Sequence, residues 1–373
     1  MIYLDHHAAT PPCVEALEAM ERARAVAWAN PASVHTAGRA ARALLEAARR
    51  EIAAALGAEA ADVVLTAGGT EACNLGVLGV AAEGPAHVLT TTIEHPAVAA
   101  AVRALEVRGA RVTRLDVPDG IAIDAAAFAR MITNDTKLCA VQWVNHETGT
   151  ILPVEAWARV CAERAVPLFV DATQALGKLP VDVGSLGATA VAVASHKMGG
   201  PAGAGALWAR RGVDVSPVIL GGAQERGRRA GSPDVVAIVG FGAACAVVDR
   251  RISAMAAVRV RRDRLEAGLC AAGAVVNGAG AARVATVTDV SFAGVRGAEL
   301  VAALDLEGVC ASSGAACSSG LDGPSAVVRA MWPALEWRAR GALRMSLGPE
   351  TTDEDVAFAA SAVGRVLGRL RKI

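Results

Sequence analysis

Between Asp62 and Arg211, short runs of aliphatic and β-branched residues alternate with alanine-rich stretches. That alternation constrains the fold more than any other feature of the chain. The runs are DVVLTAG, HVLTTTIEH, KLCAVQWVNHE, VPLFVDATQ, AVAVASHK and AGALWARR, and segments such as VEAWARVCAERA between them carry a helical pattern. Strands that are apolar on both faces must be covered on both faces. The sequence therefore predicts an α/β fold with a mostly parallel sheet between layers of helices. Ligands in such sheets gather at the carboxyl ends of the strands. From about residue 250 the pattern changes: an arginine-rich helical stretch, RRISAMAAVRVRRDRLEAGLCAAG, leads into more dispersed strands. A domain boundary is expected there.

Composition narrows the function classes. The formal net charge is zero, which argues against a nucleic-acid or membrane-surface partner. The longest apolar run, Val235 to Val248, is bounded by Asp234 and Asp249. It is shorter than the roughly 20 residues a bilayer requires. The opening MIYLDHHAATPP lacks the charged-then-apolar pattern of a signal peptide, and eight cysteines without CxxC pairs do not resemble a disulfide framework. A reducing cytoplasm is the expected location. No metal site is expected.

The polar residues cluster where the strands end. Only four of the 37 lysines and arginines are lysine, and one of them, Lys197, follows Ser195 and His196 at the end of AVAVASHK. An amine can lose its proton and attack a carbonyl, whereas a guanidinium stays charged. Asp171 closes VPLFVD, with Gln174 just after it, and His95 closes HVLTTTIEH. TAGGTEACNLG reads as strand, glycine turn and helix, so Gly69 and Thr70 stand at a helix start suited to an anion. Singly, each has an ordinary reading: Asp171 as a cap, Lys197 as a solvated cation, His95 as a packed histidine, the glycine turn as a capped helix start. Together they fit pyridoxal 5'-phosphate, which needs a lysine for a Schiff base, an acid on its ring nitrogen and a phosphate cradle.

Ten segments in order extend that pattern across the chain: YLDHHAATP, NPASVH, TAGGTEACNL, TIEHPAV, VNHETG, VDATQALGKLPVDV, SHKMGGPAGAGAL, GGAQERGRRAGSPD, SSGAACSSG and LRMSLG. On these the sequence resembles the NifS/IscS-like cysteine desulfurases of the class V pyridoxal-phosphate-dependent aminotransferases. The resemblance implies the aspartate aminotransferase-like fold. Residues 15–249 would form the large cofactor domain, and residues 1–14 with 250–373 a smaller α+β domain. It implies that Lys197 holds the cofactor, Asp171 pairs with the ring nitrogen, Gln174 contacts the ring hydroxyl and His95 stacks on the ring. Gly69, Thr70, Ser195 and His196 would surround the phosphate. Ser232 would reach the phosphate of a neighbouring subunit, which implies a homodimer with shared active sites. Arg344 would clamp the carboxylate of L-cysteine. Cys317, among the small residues of SSGAACSSG, would be the nucleophile that takes sulfur as a persulfide and passes it to an acceptor protein, an iron–sulfur scaffold being one candidate.

Two positions depart from the family. His146 stands where an asparagine beside cofactor and substrate is usual, and His7 where asparagine or serine is usual. An imidazole at 146 is expected to titrate between about pH 5 and 8 and to shift the pH dependence of turnover. The sequence ends at GRVLGRLRKI, without the extended tail through which IscS-like members dock a scaffold, so the acceptor stays open. So does the role of Cys310. Rival readings are a lyase acting on selenocysteine, cysteine sulfinate or another sulfur amino acid, an aminotransferase of the same fold, and a non-enzymatic sulfur-relay subunit.

Overall fold

The structure is a computed structural model, and it describes residues 1–81, 86–314 and 323–371. Cys317 and Lys372 lie outside the described residues. The strands in chain order are β1 (Ile2–Tyr3), β2 (Val63–Thr66), β3 (His87–Thr91), β4 (Arg111–Leu115), β5 (Thr136–Gln142) and β6 (Leu168–Asp171). They continue as β7 (Ala190–Ala194), β8 (Gly205–Ala209), β9 (Val275–Val276), β10 (Val287–Ser291), β11 (Val309–Cys310) and β12 (Ala342–Ser346).

Seven strands form the large sheet in the order β2-β8-β7-β6-β5-β3-β4. Pairing is parallel from β4 through β7, and β8 runs antiparallel to both of its neighbours. The apolar runs are continuous because both faces are buried. In β5, Leu138 and Ala140 enter the apolar cluster on one face, and Cys139 and Val141 enter the cluster on the other. Successive side chains of a strand point to opposite faces, so one short run feeds two cores. β4 reads RVTRL, with no apolar run to mark it. It lies at the sheet edge and is half exposed, which relaxes the demand for apolar residues on both faces.

The apolar run from Val235 lies inside the protein as the helix Val235–Ala246, capped by Asp234, whose carboxylate accepts from the Ala237 N–H at 3.0 Å. It packs closely on the helix Thr36–Ala55: a Cβ at Gly242 would fall 2.8 Å from Ala48 Cα. Among the described residues no helix is long and apolar enough to cross a membrane. The helix Val248–Ala271 leads to the antiparallel sheet β12-β10-β9, in which Val290, Leu343 and Met345 join Leu4, Val356, Val363 and Val366 in a separate cluster while Val287 packs into the cluster of the large sheet. β1 pairs in parallel with β11, so the N-terminal segment is built into this second unit.

Candidate active site

β3, β6 and β7 end on one side of the large sheet, and the residues that follow them line a single cavity of about 530 Å³. His95, Asp171, Gln174, His196 and Lys197 line it, together with Gly69, Thr70 and His146. Eight residues named from sequence are thus brought to one space.

Lys197 ends the single tight turn Ser195–Lys197 that follows β7. Its Nζ donates to the carbonyls of His7 at 2.7 Å and Ala8 at 2.9 Å. The N-terminal segment therefore lies against the lysine. Asp171 is buried at the end of β6 and accepts from the Thr173 N–H at 2.9 Å. His95 caps the helix Pro96–Val107, its Nδ1 accepting from the Ala97 N–H at 3.1 Å, so in the neutral ring the proton sits on Nε2. Burial holds its pKa below the usual histidine range, and Lys197 adds to this while Asp171 opposes it. His196 is pushed down to about 4 by burial, then by the charges of Lys197 and Lys178.

The turn between β2 and the helix that starts at Gly69 depends on its glycines. Gly68 has φ 154°, and a Cβ at Gly205 of β8 would fall 2.6 Å from the Gly68 carbonyl carbon. Ser195 is fully buried at the same sheet end, and its Oγ has no hydrogen-bond partner among the described residues. Buried hydroxyls are rarely left so. A helix start, an orphaned hydroxyl, a lysine amine and a buried carboxylate in one cavity are the fittings pyridoxal phosphate requires.

His146 is buried, and its ring meets that of His95 edge-on at 5.0 Å between centroids. Burial holds its pKa well below the ordinary value, and its basic neighbours His95, Arg344 and Lys197 add to the effect. This shift works against the expected titration between pH 5 and 8, because the charged form would be buried among basic groups. His7 is likewise held neutral by burial and bridges to the Thr286 hydroxyl at 2.8 Å.

Arg344 of β12 stands behind His146. It pairs with Asp5 at 2.7 Å and donates to the His146 carbonyl at 3.0 Å, while its Nε is buried without a partner among the described residues. Ser232 is exposed and is not among the residues lining the cavity. Cys310 is partly buried in β11 beside Tyr3.

Three site residues are missed by the sequence reading. Cys73 lines the cavity four residues after Gly69, and burial pushes its thiol well above the usual range, with Asp171 as charge and hydrogen-bond partner adding to the rise. The i, i+4 spacing from Gly69 was the available signal. Lys178, four residues after Gln174, is buried and donates to Gln174 Oε1 at 2.9 Å and to the Lys197 carbonyl at 3.2 Å. Glu147, next to His146, is a buried carboxyl group raised to about 8 by burial and then by the charge of Asp289.

The aminotransferase class-V family model matches residues 2–358. A Mycobacterium tuberculosis protein named IscS-like cysteine desulfurase is 40% identical over 385 residues, covering 100% of this chain and 98% of the relative. A cysteine desulfurase of Enterobacter agglomerans is 35% identical over 377 residues, covering 100% and 94%. Among solved structures, a NifS-like protein superposes with a TM-score of 0.91 at 30% identity over 99% of both chains. The structure described as SspA in complex with cysteine superposes with a TM-score of 0.82 at 30% identity, over 94% of this chain and all of the other. A family match over nearly the whole length, relatives matched end to end and a lysine-centred cavity at the strand ends agree: the chain belongs to the class-V aminotransferases, pyridoxal-phosphate-dependent enzymes, in their NifS/IscS-like cysteine desulfurase branch.

Proposed function

We propose that this protein converts L-cysteine to L-alanine and holds the sulfur as a persulfide on Cys317 for an acceptor. The observation that carries the reading is the meeting of Lys197, Asp171 and His95 in one cavity, in a chain whose full-length relatives are named for this activity. Pyridoxal 5'-phosphate supplies a carbonyl that amines can join and a ring that draws electron density from a substrate's α-carbon. Lys197 would hold it through Nζ, Asp171 would pair with the pyridine nitrogen, His95 would lie against the ring and Gln174 would serve the ring hydroxyl. Gly69, Thr70, Ser195 and His196 take the phosphate, with Ser195 Oγ as an unspent donor.

Lys197 Nζ, once free of the cofactor, would be the base that moves the α-proton. Arg344 receives the substrate carboxylate in exchange for Asp5, with its unpartnered Nε as a further donor. His146, neutral and beside both, offers Nδ1 to cofactor or substrate. The Cys317 thiolate then attacks the sulfur of L-cysteine. An S–S bond forms as the substrate's Cβ–S bond breaks, and Cβ gains the proton that completes alanine.

Residues 15–249 act as the cofactor domain, and residues 1–14 with 250–373 as the second domain; the second unit has an apolar cluster of its own, although its Val284, Val287, Val327 and Met331 pack into the cluster of the first. The active unit is a homodimer. Ser232 belongs to an exposed segment that also displays Val218, Ile219 and Leu220, apolar side chains that a second copy would cover. The acceptor is a sulfur-carrying or scaffold protein, and the location is cytoplasmic.

Purified protein given L-cysteine should release alanine and, with a reductant, sulfide in equal amounts. Lys197→Ala should abolish turnover and the borohydride-reducible link to the cofactor. Cys317→Ser should keep the cofactor spectrum and its response to cysteine but release almost no sulfide. Full sulfide release from the serine variant, or a requirement for a keto acid, would overturn the reading. Light scattering should give twice the chain mass.

A further inference from the structure

The turn after β5 is braced by the Asn145 side chain. Asn145 Oδ1 accepts from the N–H groups of Glu147 at 3.0 Å and Thr148 at 2.9 Å, and Asn145 Nδ2 donates to the Ile93 carbonyl at 3.1 Å. Glu147 is therefore fixed relative to His95 and His146. On its other side, its carboxyl group meets two residues far away in sequence. Ser325 Oγ donates to Glu147 Oε2. Gly314 comes so close that a Cβ there would fall 2.5 Å from Glu147 Oε2 and 3.2 Å from Ser325 Cβ. Gly314 also has φ 83°, a second reason for glycine.

Gly314 and Ser325 stand on either side of Cys317 in the sequence. Each flank is held independently as well. Ser312 exchanges backbone hydrogen bonds with Arg344 at 3.1 and 2.7 Å. Ser325 caps the helix Ala326–Met331 through the Val328 N–H at 2.9 Å and donates its own N–H to the Ala339 carbonyl at 3.0 Å. Glu147 is where the two flanks meet each other and the cavity wall, its Oε1 lying 3.7 Å from His146 Nε2.

We propose that Glu147 is a positioning residue for sulfur transfer: its buried carboxyl group fixes Gly314 and Ser325, the flanks of the segment that carries Cys317, against the wall of the cofactor cavity. The chemistry suits the task. Burial and Asp289 keep the group protonated at neutral pH, although Ser325 and Arg344 pull the other way. His146 beside it is neutral, so their contact is not an ion pair. Glu147 holds its neighbours by shape and neutral hydrogen bonds, which an amide can reproduce.

The inference rests on the reading that Cys317 receives the sulfur, and two readouts on the holoenzyme separate them. One is the change in cofactor absorbance on mixing with L-cysteine, which reports substrate binding. The other is the single-turnover rate at which mass spectrometry finds sulfur added to the Cys317 peptide. Glu147→Ala should slow sulfur addition by about tenfold or more, equivalent to about 1.4 kcal/mol, while the cysteine concentration for half-maximal absorbance change stays within about twofold. Ser325→Ala should slow addition in the same direction, and the double variant should be no slower than Glu147→Ala, because one hydrogen bond is lost in both. Glu147→Gln should restore addition to within about twofold of wild type. If Glu147→Ala does not fold, Ser325→Ala against Glu147→Gln decides by the same two readouts. Sulfur addition at the wild-type rate in the alanine and serine-to-alanine variants overturns the proposal. So does a parallel fall of both readouts, which would make Glu147 a support of the cavity alone. Absence of sulfur on Cys317 in wild type overturns the desulfurase reading and this inference with it.

Discussion

A buried imidazole replaces an amide at position 146, and its environment decides what that change does. His146 is buried on the cavity wall beside His95, Arg344 and Lys197, and burial holds its pKa well below the ordinary histidine value. His146→Asn should therefore leave the shape of the kcat/KM profile unchanged between about pH 5 and 8, and should act on the KM for cysteine instead. A profile that moves would show that the ring gains its proton in the working enzyme. Lys197, Asp171 and His95 were legible in the sequence because each closes an apolar run, and strand ends are where such a sheet exposes polar groups. Cys73, Lys178 and Glu147 were not. Each is a polar or ionisable residue whose burial follows from elements distant in sequence, and no local pattern records that.

Strands and helices meet at the site through a few close contacts that tolerate little change. Gly205 of β8 lies under the Gly68 turn with no room for a methyl group. Gly205→Ala should displace the turn and speed loss of pyridoxal phosphate on dialysis by about tenfold or more, roughly 1.4 kcal/mol of binding, read by cofactor absorbance. Farther out, Arg49 of the helix Thr36–Ala55 pairs with Glu225 at 2.6 Å, both side chains being buried, and Glu225 also accepts from the Leu65 N–H at 2.9 Å. That carboxylate ties β2 to the segment that carries Ser232. Arg49→Met should cost about 3–5 kcal/mol in urea unfolding, because it leaves Glu225 buried and uncompensated. The parallel sheet could be read from continuous apolar runs, but the reversal of β8 could not, since an apolar run looks the same in either direction.

Across the whole molecule, buried carboxyl groups make stability depend on pH. Glu94 and Glu147 are both raised to about 8, chiefly by burial. The folded protein keeps protons that the unfolded chain releases above about pH 4.5. The stabilisation tied to these groups is complete below that pH, falls as pH rises and is lost through pH 8. Each group contributes a slope of up to about 1.4 kcal/mol per pH unit in that window. Glu94→Gln should flatten the fall in unfolding free energy between pH 5 and 8, measured in urea. An unchanged slope would mean that Glu94 ionises in the folded state like an exposed carboxylate.

The pairing of β1 with β11 also sets a timetable for biosynthesis. Ile2 and Tyr3 meet Val309 and Cys310, and Asp5 bridges to Ser346, so residues 2–5 find their places only once residues 309–346 have been made. At about 5–20 residues per second the ribosome needs roughly 15–60 s to bring those partners out. During that interval the carbonyls of His7 and Ala8 are not yet set against Lys197. The large sheet can form around the lysine while its N-terminal cover is still loose, so that wall of the cavity is the last to be put in place.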